Sequence, residues 1–514
     1  MAMFNEVVRL LDRFTGGGSG KPDLPIRFDL PQRFKDKQFC PEVSTRSLQK
    51  ELEHAASHRL EFAIEQLKLL VKYQLPSNKR LALLEVIAKE SVELINATYV
   101  QYRDTPGLAE TRERTAELSR ALTWIQLLKS GYQQVFLDEY QQSPQRYKAH
   151  YHHHLKVGGR VLELLFMEQR VCALRYQVFS SRSWRDLNQL FFVLSLNGDI
   201  TQQQTLLSAF CSVGEARATS RPSCKRSASQ LYVSMQLFGL ADCYTWPSTF
   251  VKVLDRYIAL HAKDAPIKHD QGGELQSGHL LTFFDWNRPA LFRREPRHAI
   301  ALQIDISSLK REINNDHATL TTLDEQQALK QISAPLAVLS NCQRAAFIEL
   351  LRHKLRPYQR KEPREAINAY RDFAIVEGFM NCYKRISKPR EPLQKKVSAL
   401  DTSLNEMLEG SASPLVDDRR DLKKSDWLVV NESDGGIQLC TKENPYLCSL
   451  NIGQMVLFTQ TSGDSSAPQL GQVLRLMRTG NGDISVTLQK YRGQLEPLLL
   501  QNPAMQKSGA AVPA

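Results

Sequence analysis

The stretch whose residue types could do the most chemistry runs from Arg419 to Gly436. Arg419-Arg420-Asp421-Leu422-Lys423-Lys424 places four cations in six residues, and Trp427-Leu428-Val429-Val430-Asn431-Glu432-Ser433-Asp434-Gly435-Gly436 follows. An apolar strand that ends at Asn431 and turns at Gly435-Gly436 sets Asn431 and Ser433 on one face, because successive strand residues point to opposite sides. Cations beside two small polar side chains and a glycine turn suit a bound phosphate. Arginine can also bond phosphate, or the O6/N7 edge of guanine, in a two-pronged fork. The plain alternative is an ordinary hairpin with a solubilising basic flank.

Other clusters carry less. Gly16-Gly17-Gly18-Ser19-Gly20-Lys21 lacks the first glycine of a phosphate-binding loop and has Pro22 where a magnesium-binding hydroxyl belongs. It reads as a flexible hinge. His150, His152, His153 and His154 could ligate a metal, yet consecutive residues on a helix cannot all face one point; a polar loop before a helix is expected. His269-Asp270 reads as a surface turn. No nucleophile elbow, zinc-protease signature or acid–base pair stands out, so no catalysis, metal or cofactor is expected.

The elements that would position these residues follow from periodicity. The chain has 514 residues, 42% of them hydrophobic and 24% charged, enough for several domains with their own cores. Residues 1–20 suggest an amphipathic helix and a hinge. From about 45 to 260 apolar residues recur at helical spacing, as in Leu60, Ile64, Leu67 and Val71, then Leu84, Ala88, Val92, Ile95 and Tyr99, then Leu118, Leu122 and Ile125. Glycines and prolines over 261–306 allow a β insertion, and helical spacing is expected again over 307–386, through Ala366, Ile367, Tyr370, Phe373, Ala374, Glu377 and Met380. Residues 387–425 read as a linker, 426–500 as five short strands closing a small barrel, and 501–514 as a frayed tail. The fold class is therefore α+β and multidomain: a large all-α region, bundle or short solenoid, with a small C-terminal antiparallel β-barrel.

Charge narrows the partners. The net charge is +12, with residues 401–514 carrying −3 and the rest about +15, which favours anionic partners. The basic residues show little of the aromatic interleaving that binds single strands, so nucleic acid is disfavoured. No apolar run approaches the ~18 residues of a membrane span, and nine scattered cysteines without a Cys-x-x-Cys pair suit a reducing compartment; the cytoplasm is expected.

Asn431-x-Ser433-x-x-Gly436 with an upstream basic motif resembles the PilZ domain of bacterial cyclic-di-GMP receptors, in which an Arg-x-x-x-Arg segment and an (Asp/Asn)-x-Ser-x-x-Gly motif clasp the dinucleotide. The Leu470–Arg478 strand is similar to that family's Gly-x-Val-x-Arg strand at Gly471, Val473 and Arg475. Here the second arginine of the basic motif is a lysine, in Arg419-x-x-x-Lys423 or Arg420-x-x-x-Lys424, and the gap to Asn431 is short for the barrel strand that normally intervenes. The resemblance implies a non-enzymatic cytoplasmic regulator that binds cyclic-di-GMP through Arg419, Arg420, Lys423, Lys424, Asn431, Ser433 and Gly436 and relays it to an unidentified protein partner through the helices. The alternative is a helical scaffold whose barrel has lost its nucleotide. A second basic set, Arg293-Arg294-Glu295-Pro296-Arg297 with Asp305-Ile306-Ser307, has Lys310 in the glycine's place and reads as chance in so basic a chain.

Overall fold

The computed structural model describes residues 26–34, 44–103, 112–142, 151–197, 199–207, 225–263, 265–270, 275–293, 301–357, 365–377, 382, 386, 425–442, 450–460, 468–479, 483–493, 495, 499–501 and 511–513. The expected N-terminal helix and hinge (1–20) and the linker (387–424) lie outside these residues, as do Arg419, Arg420, Lys423 and Lys424.

The N-terminal half is helical: α1 (Thr45–His54), α2 (Arg59–Lys72), α3 (Ser77–Arg103), α4 (Arg112–Gln142), α5 (Tyr151–Leu174), α6 (Ser181–Asn197), α7 (Ala228–Leu240) and α8 (Ser248–His261). A short antiparallel pair, β1 (Gln203–Thr205) and β2 (Lys225–Ser227), precedes α7. The stripes found in the sequence are the buried ones. Ile64, Leu67 and Val71 of α2 and Leu84, Ala88, Val92, Ile95 and Tyr99 of α3 are buried, and α4 packs on α2, α3 and α5 around Trp124, Leu128 and Tyr132. Two charge pairs lie inside this core: Lys129 meets Glu168 at 2.6 Å with both side chains under 10% exposed, and Arg80 meets Asp138 at 3.2 Å. Burial of single charges would be prohibitive, so these pairs fix how α3, α4 and α5 align.

Three strands form an antiparallel sheet, β3 (Ile267–His269), β5 (Ala301–Asp305) and β4 (His279–Phe283), with β5 in the middle. A buried polar network fastens it to the helices. Asn188 of α6 donates to the Trp286 carbonyl at 2.8 Å and accepts from Tyr232 and Gln236 of α7, each at 2.8 Å, while the amide of Ala290 donates to Gln236. The helical core continues into the sheet through Leu280, Leu302 and Ile304. After it come α9 (Ser307–Thr322), α10 (Glu325–Gln331) and α11 (Asn341–Lys354).

The helix expected from 366 to 380 is a strand. β6 (Glu365–Glu377) pairs antiparallel with β7 (Ser425–Ser433) and with β9 (Met455–Gln460). Its apolar residues looked helical because both faces are buried: Ile375 packs into the ring's core, whereas Val376 packs with Cys382 and Leu457 on the other side. A register shift between Ala366 and Ala369 further blurs the two-residue alternation. The strand that seemed to be missing ahead of Asn431 thus lies on the far side of the expected linker. The pairing order is β10 (Gln469–Arg478), β11 (Asp483–Lys490), β8 (Gly436–Lys442), β7, β6, β9 and back to β10, so each strand has two neighbours. Trp427, Val429, Ile437, Leu439, Val473, Leu476, Ile484, Val486 and Leu488 fill the interior.

Two smaller expectations are corrected. The tail is not wholly frayed: β12 (Leu499–Gln501) pairs with β13 (Ala511–Pro513), which satisfies the backbone of two apolar segments. The histidines of 152–154 form the first turn of α5 rather than a loop, with His153 and His154 3.1 and 3.3 Å from Glu139 of α4.

Candidate functional site

The β7–β8 hairpin builds the polar face. Trp427 and Val429 point inward, and unbroken alternation would send Asn431 inward after them. A register shift between Val429 and Asn431 prevents this. Asn431 stands opposite Gln438 and Ser433 opposite Gly436, the outward partners of a strand whose Ile437 and Leu439 are buried. Asn431, Ser433, Gly436 and Gln438 therefore share the outer face. The amide of Asn431 donates to Gln438 at 2.7 Å, and Gln438 donates to the Ser485 hydroxyl on β11 at 3.0 Å, a polar row across three strands. A Cβ on Gly436 would lie 3.0 Å from the Leu488 carbonyl oxygen, so glycine lets β8 and β11 close up here.

Glu432 takes the opposite direction. Its carboxylate meets Lys490 of β11 and, at 3.4 Å, Arg371 of β6. These three charges close one end of the ring behind the Asn431 face. Asp434 and Arg492 form a looser, exposed pair at 3.9 Å beside the turn.

Of the seven residues proposed from sequence, three are thus brought together: Asn431, Ser433 and Gly436. The four cations lie outside the described residues, and Ser425, which follows Lys424, pairs with Phe373 at the opposite end of β7 from Asn431. Six residues of strand separate Ser425 from Asn431, roughly 20 Å. The chain end beside the motif is a different one. Glu365 pairs with Glu432 and Ala366 with Asn431, and the sequence immediately ahead reads Arg360-Lys361-Glu362-Pro363-Arg364. These five residues also lie outside the described part. Their Arg-x-x-x-Arg spacing was present in the sequence, but reading 307–386 as helix concealed its place ahead of a strand.

Comparison with known proteins adds an independent finding. Residues 45–271 match the family described as "Cyclic-di-GMP receptor FimW, N-terminal domain". The match begins with α1 and ends just past β3, so it contains none of the polar face on β7 and β8. No curated protein matches the chain.

The matched helical segment touches the strand ring through a short chain of side chains. Arg475 of β10, within the Gly471–Val473–Arg475 set, donates to the Tyr244 hydroxyl at 3.0 Å and lies over its ring at 5.5 Å. Tyr244 donates to Asp242 at 2.9 Å, and Asp242 pairs with Lys354, the last residue of α11, at 2.6 Å. Burial, reinforced by Asp242, holds the Tyr244 hydroxyl well above the usual tyrosine range, so it stays protonated and can donate. Tyr176, at the end of α5, enters the ring's core, and its carbonyl accepts from the Arg478 amide at 2.8 Å.

The His269-Asp270 pair belongs to the packed fold. His269 ends β3 edge-on to Phe192 at 5.4 Å, and burial lowers its pKa; it is a packed side chain, not the surface turn expected. Among the described residues no three His, Cys, Asp or Glu side chains cluster as metal ligands. No helix among them is long and apolar enough to cross a membrane.

Proposed function

We propose that the protein is a non-enzymatic cytoplasmic regulator that binds cyclic-di-GMP on the outer face of a PilZ-like barrel, with Arg360 and Arg364 as its arginine pair. The carrying observation is the register of β6 on β7, which sets the residues after Arg364 directly against Asn431 and Glu432. The helical match to a family described as a cyclic-di-GMP receptor supports the ligand class from a part of the chain that shares no residue with the site. In this reading the two arginines fork onto the phosphates and guanine edges, Asn431 and Ser433 bond the nucleotide, and Gly436 keeps the surface open for its approach. Arg419, Arg420, Lys423 and Lys424 precede the far end of β7 and contribute only long-range attraction.

The relay to a protein partner then has a direct route. Arg360 and Arg364 sit between α11, whose Lys354 is pinned on Asp242, and β6. Engaging a nucleotide through that segment changes the load on the Lys354–Asp242–Tyr244–Arg475 chain and thereby how helices and ring pack.

Isothermal titration of cyclic-di-GMP into the full chain tests the reading. Binding is expected in the wild type, weakened about tenfold or more by Arg364→Ala and by Asn431→Ala, each removing a hydrogen bond to a charged or buried group. Arg419→Ala with Arg420→Ala is expected to leave affinity within about threefold. Absence of binding by the wild type ends the receptor reading.

A further inference from the structure

A basic hollow lies between the start of α9 and the end of α11, sharing no residue with the face on β7 and β8. Its volume is about 480 Å³, the lower part of the range typical of small-molecule sites. Ser277, Ser307, Lys310, Arg311, Arg352 and Arg356 line it together with Asn314 and Asn315; among the described residues the lining contains four cations and no carboxylate. Arg352 is held in place by Glu349 and His317, 3.3 and 3.1 Å away. Lys310, Arg311 and Arg356 pair with no carboxylate among the described residues. Lys310 lies over the Phe292 ring at 5.2 Å, and burial together with Arg356 lowers the pKa of its ammonium. Uncompensated like charges around a cavity are unfavourable until an anion enters.

The backbone shapes one wall of the hollow. Gly278 adopts φ +95°, and a Cβ there would lie 2.5 Å from the Ser307 hydroxyl oxygen. Its carbonyl accepts from the Ile306 amide at 2.8 Å, which holds the turn against the first residues of α9. The hollow runs along one side of α9, from Ser307 through Lys310 and Arg311 to Asn314 and Asn315. Asp305, which accepts from the Ser307 amide at 2.8 Å, lines the neighbouring hollow, which shares Ser307 and Arg311 with this one.

We propose that this hollow binds a phosphate-bearing small molecule of about mononucleotide size, its phosphates held by Lys310, Arg311 and Arg356 and by the Ser277 and Ser307 hydroxyls. Guanidinium groups fork onto phosphate oxygens, the lysine supplies a compact point charge, and Arg352, already positioned by Glu349, closes the wall. The chance set noted in the sequence, Ser307 with Lys310 three residues on, belongs to this hollow rather than to a barrel motif.

The test uses pyrophosphate as the probe, titrated into the full chain at constant ionic strength. The wild type is expected to bind it, Lys310→Ala with Arg356→Ala to weaken binding about tenfold or more, and the exposed Arg311→Glu alone to do the same. Asn431→Ala and a control that removes two distant surface charges, Lys68→Ala with Lys89→Ala, are expected to leave it unchanged. No pyrophosphate binding by the wild type, or an equal loss in the distant-lysine control, overturns the proposal. Because Asn431→Ala removes only the cyclic-di-GMP face, failure of this site and failure of the receptor reading give different results.

Discussion

Asn431 faces solvent only because β7 slips by one residue against β8; Trp427 and Val429, at the same parity, are buried. Sequence alternation correctly puts Asn431 and Ser433 on one face, but a bulge leaves no mark in a run such as Leu428-Val429-Val430, so which face it is emerges only from the pairing. Gly436 is the complementary case, a turn residue whose lack of a side chain is used by a neighbouring strand. Gly436→Val is expected to push β11 away and cost about 1–3 kcal/mol, read as a lower thermal midpoint. Inside the helical part, Asp186 of α6 accepts from Gln133 of α4 at 2.9 Å and is almost fully buried, and burial raises its pKa. A carboxyl whose folded pKa is raised opposes folding once ionised: its contribution is most favourable below the unfolded pKa and is lost as pH rises through the folded one. Asp186→Asn should therefore gain stability over the wild type near pH 7 and lose that advantage toward about pH 4, measured as the difference in thermal midpoints. A parallel pH dependence in both proteins would show that Asp186 is not the group responsible.

Helices such as α2 and α3 and strands such as β8 were readable because burial on one face writes a period of 3.6 or 2 into the sequence. β6 defeats that logic. Ile375 faces the ring's core and Val376 a second apolar cluster, so adjacent residues are buried on opposite faces and the two-residue alternation is lost there. The Arg360-x-x-x-Arg364 spacing ahead of it thus had no visible strand to belong to in the sequence. β6 is also the strand that joins β7 to β9. A fragment of residues 400–514 would leave two strand edges open, and open apolar edges associate. Residues 358–514, which include β6, are expected to give a monodisperse species with sheet-type circular dichroism, and residues 400–514 to aggregate under the same conditions. A folded, monomeric 400–514 fragment would mean that β6 is dispensable.

The helical part and the strand ring meet through few but specific contacts, and a signal raised on one must cross them to reach the other. Tyr176 and the Arg475–Tyr244–Asp242–Lys354 chain tie α5, the 3₁₀ turn Cys243–Thr245 and α11 to β10. Tyr244 is the joint: its hydroxyl accepts from Arg475 and donates to Asp242. Tyr244→Phe keeps the ring under Arg475 but deletes both hydrogen bonds and leaves the guanidinium short of an acceptor, a loss of about 1–2 kcal/mol confined to the seam. Because Asn431 lies elsewhere, cyclic-di-GMP affinity should stay within about threefold of the wild type, while communication is lost. Hydrogen exchange separates these effects. In the wild type, cyclic-di-GMP is expected to change protection both around Asn431–Gln438 and around Asp242–Trp246 and the end of α11. In Tyr244→Phe the first change should persist and the second vanish. If protection around Asp242–Trp246 responds equally in both proteins, the signal takes another path; if it responds in neither, the ring binds its nucleotide without informing the helices.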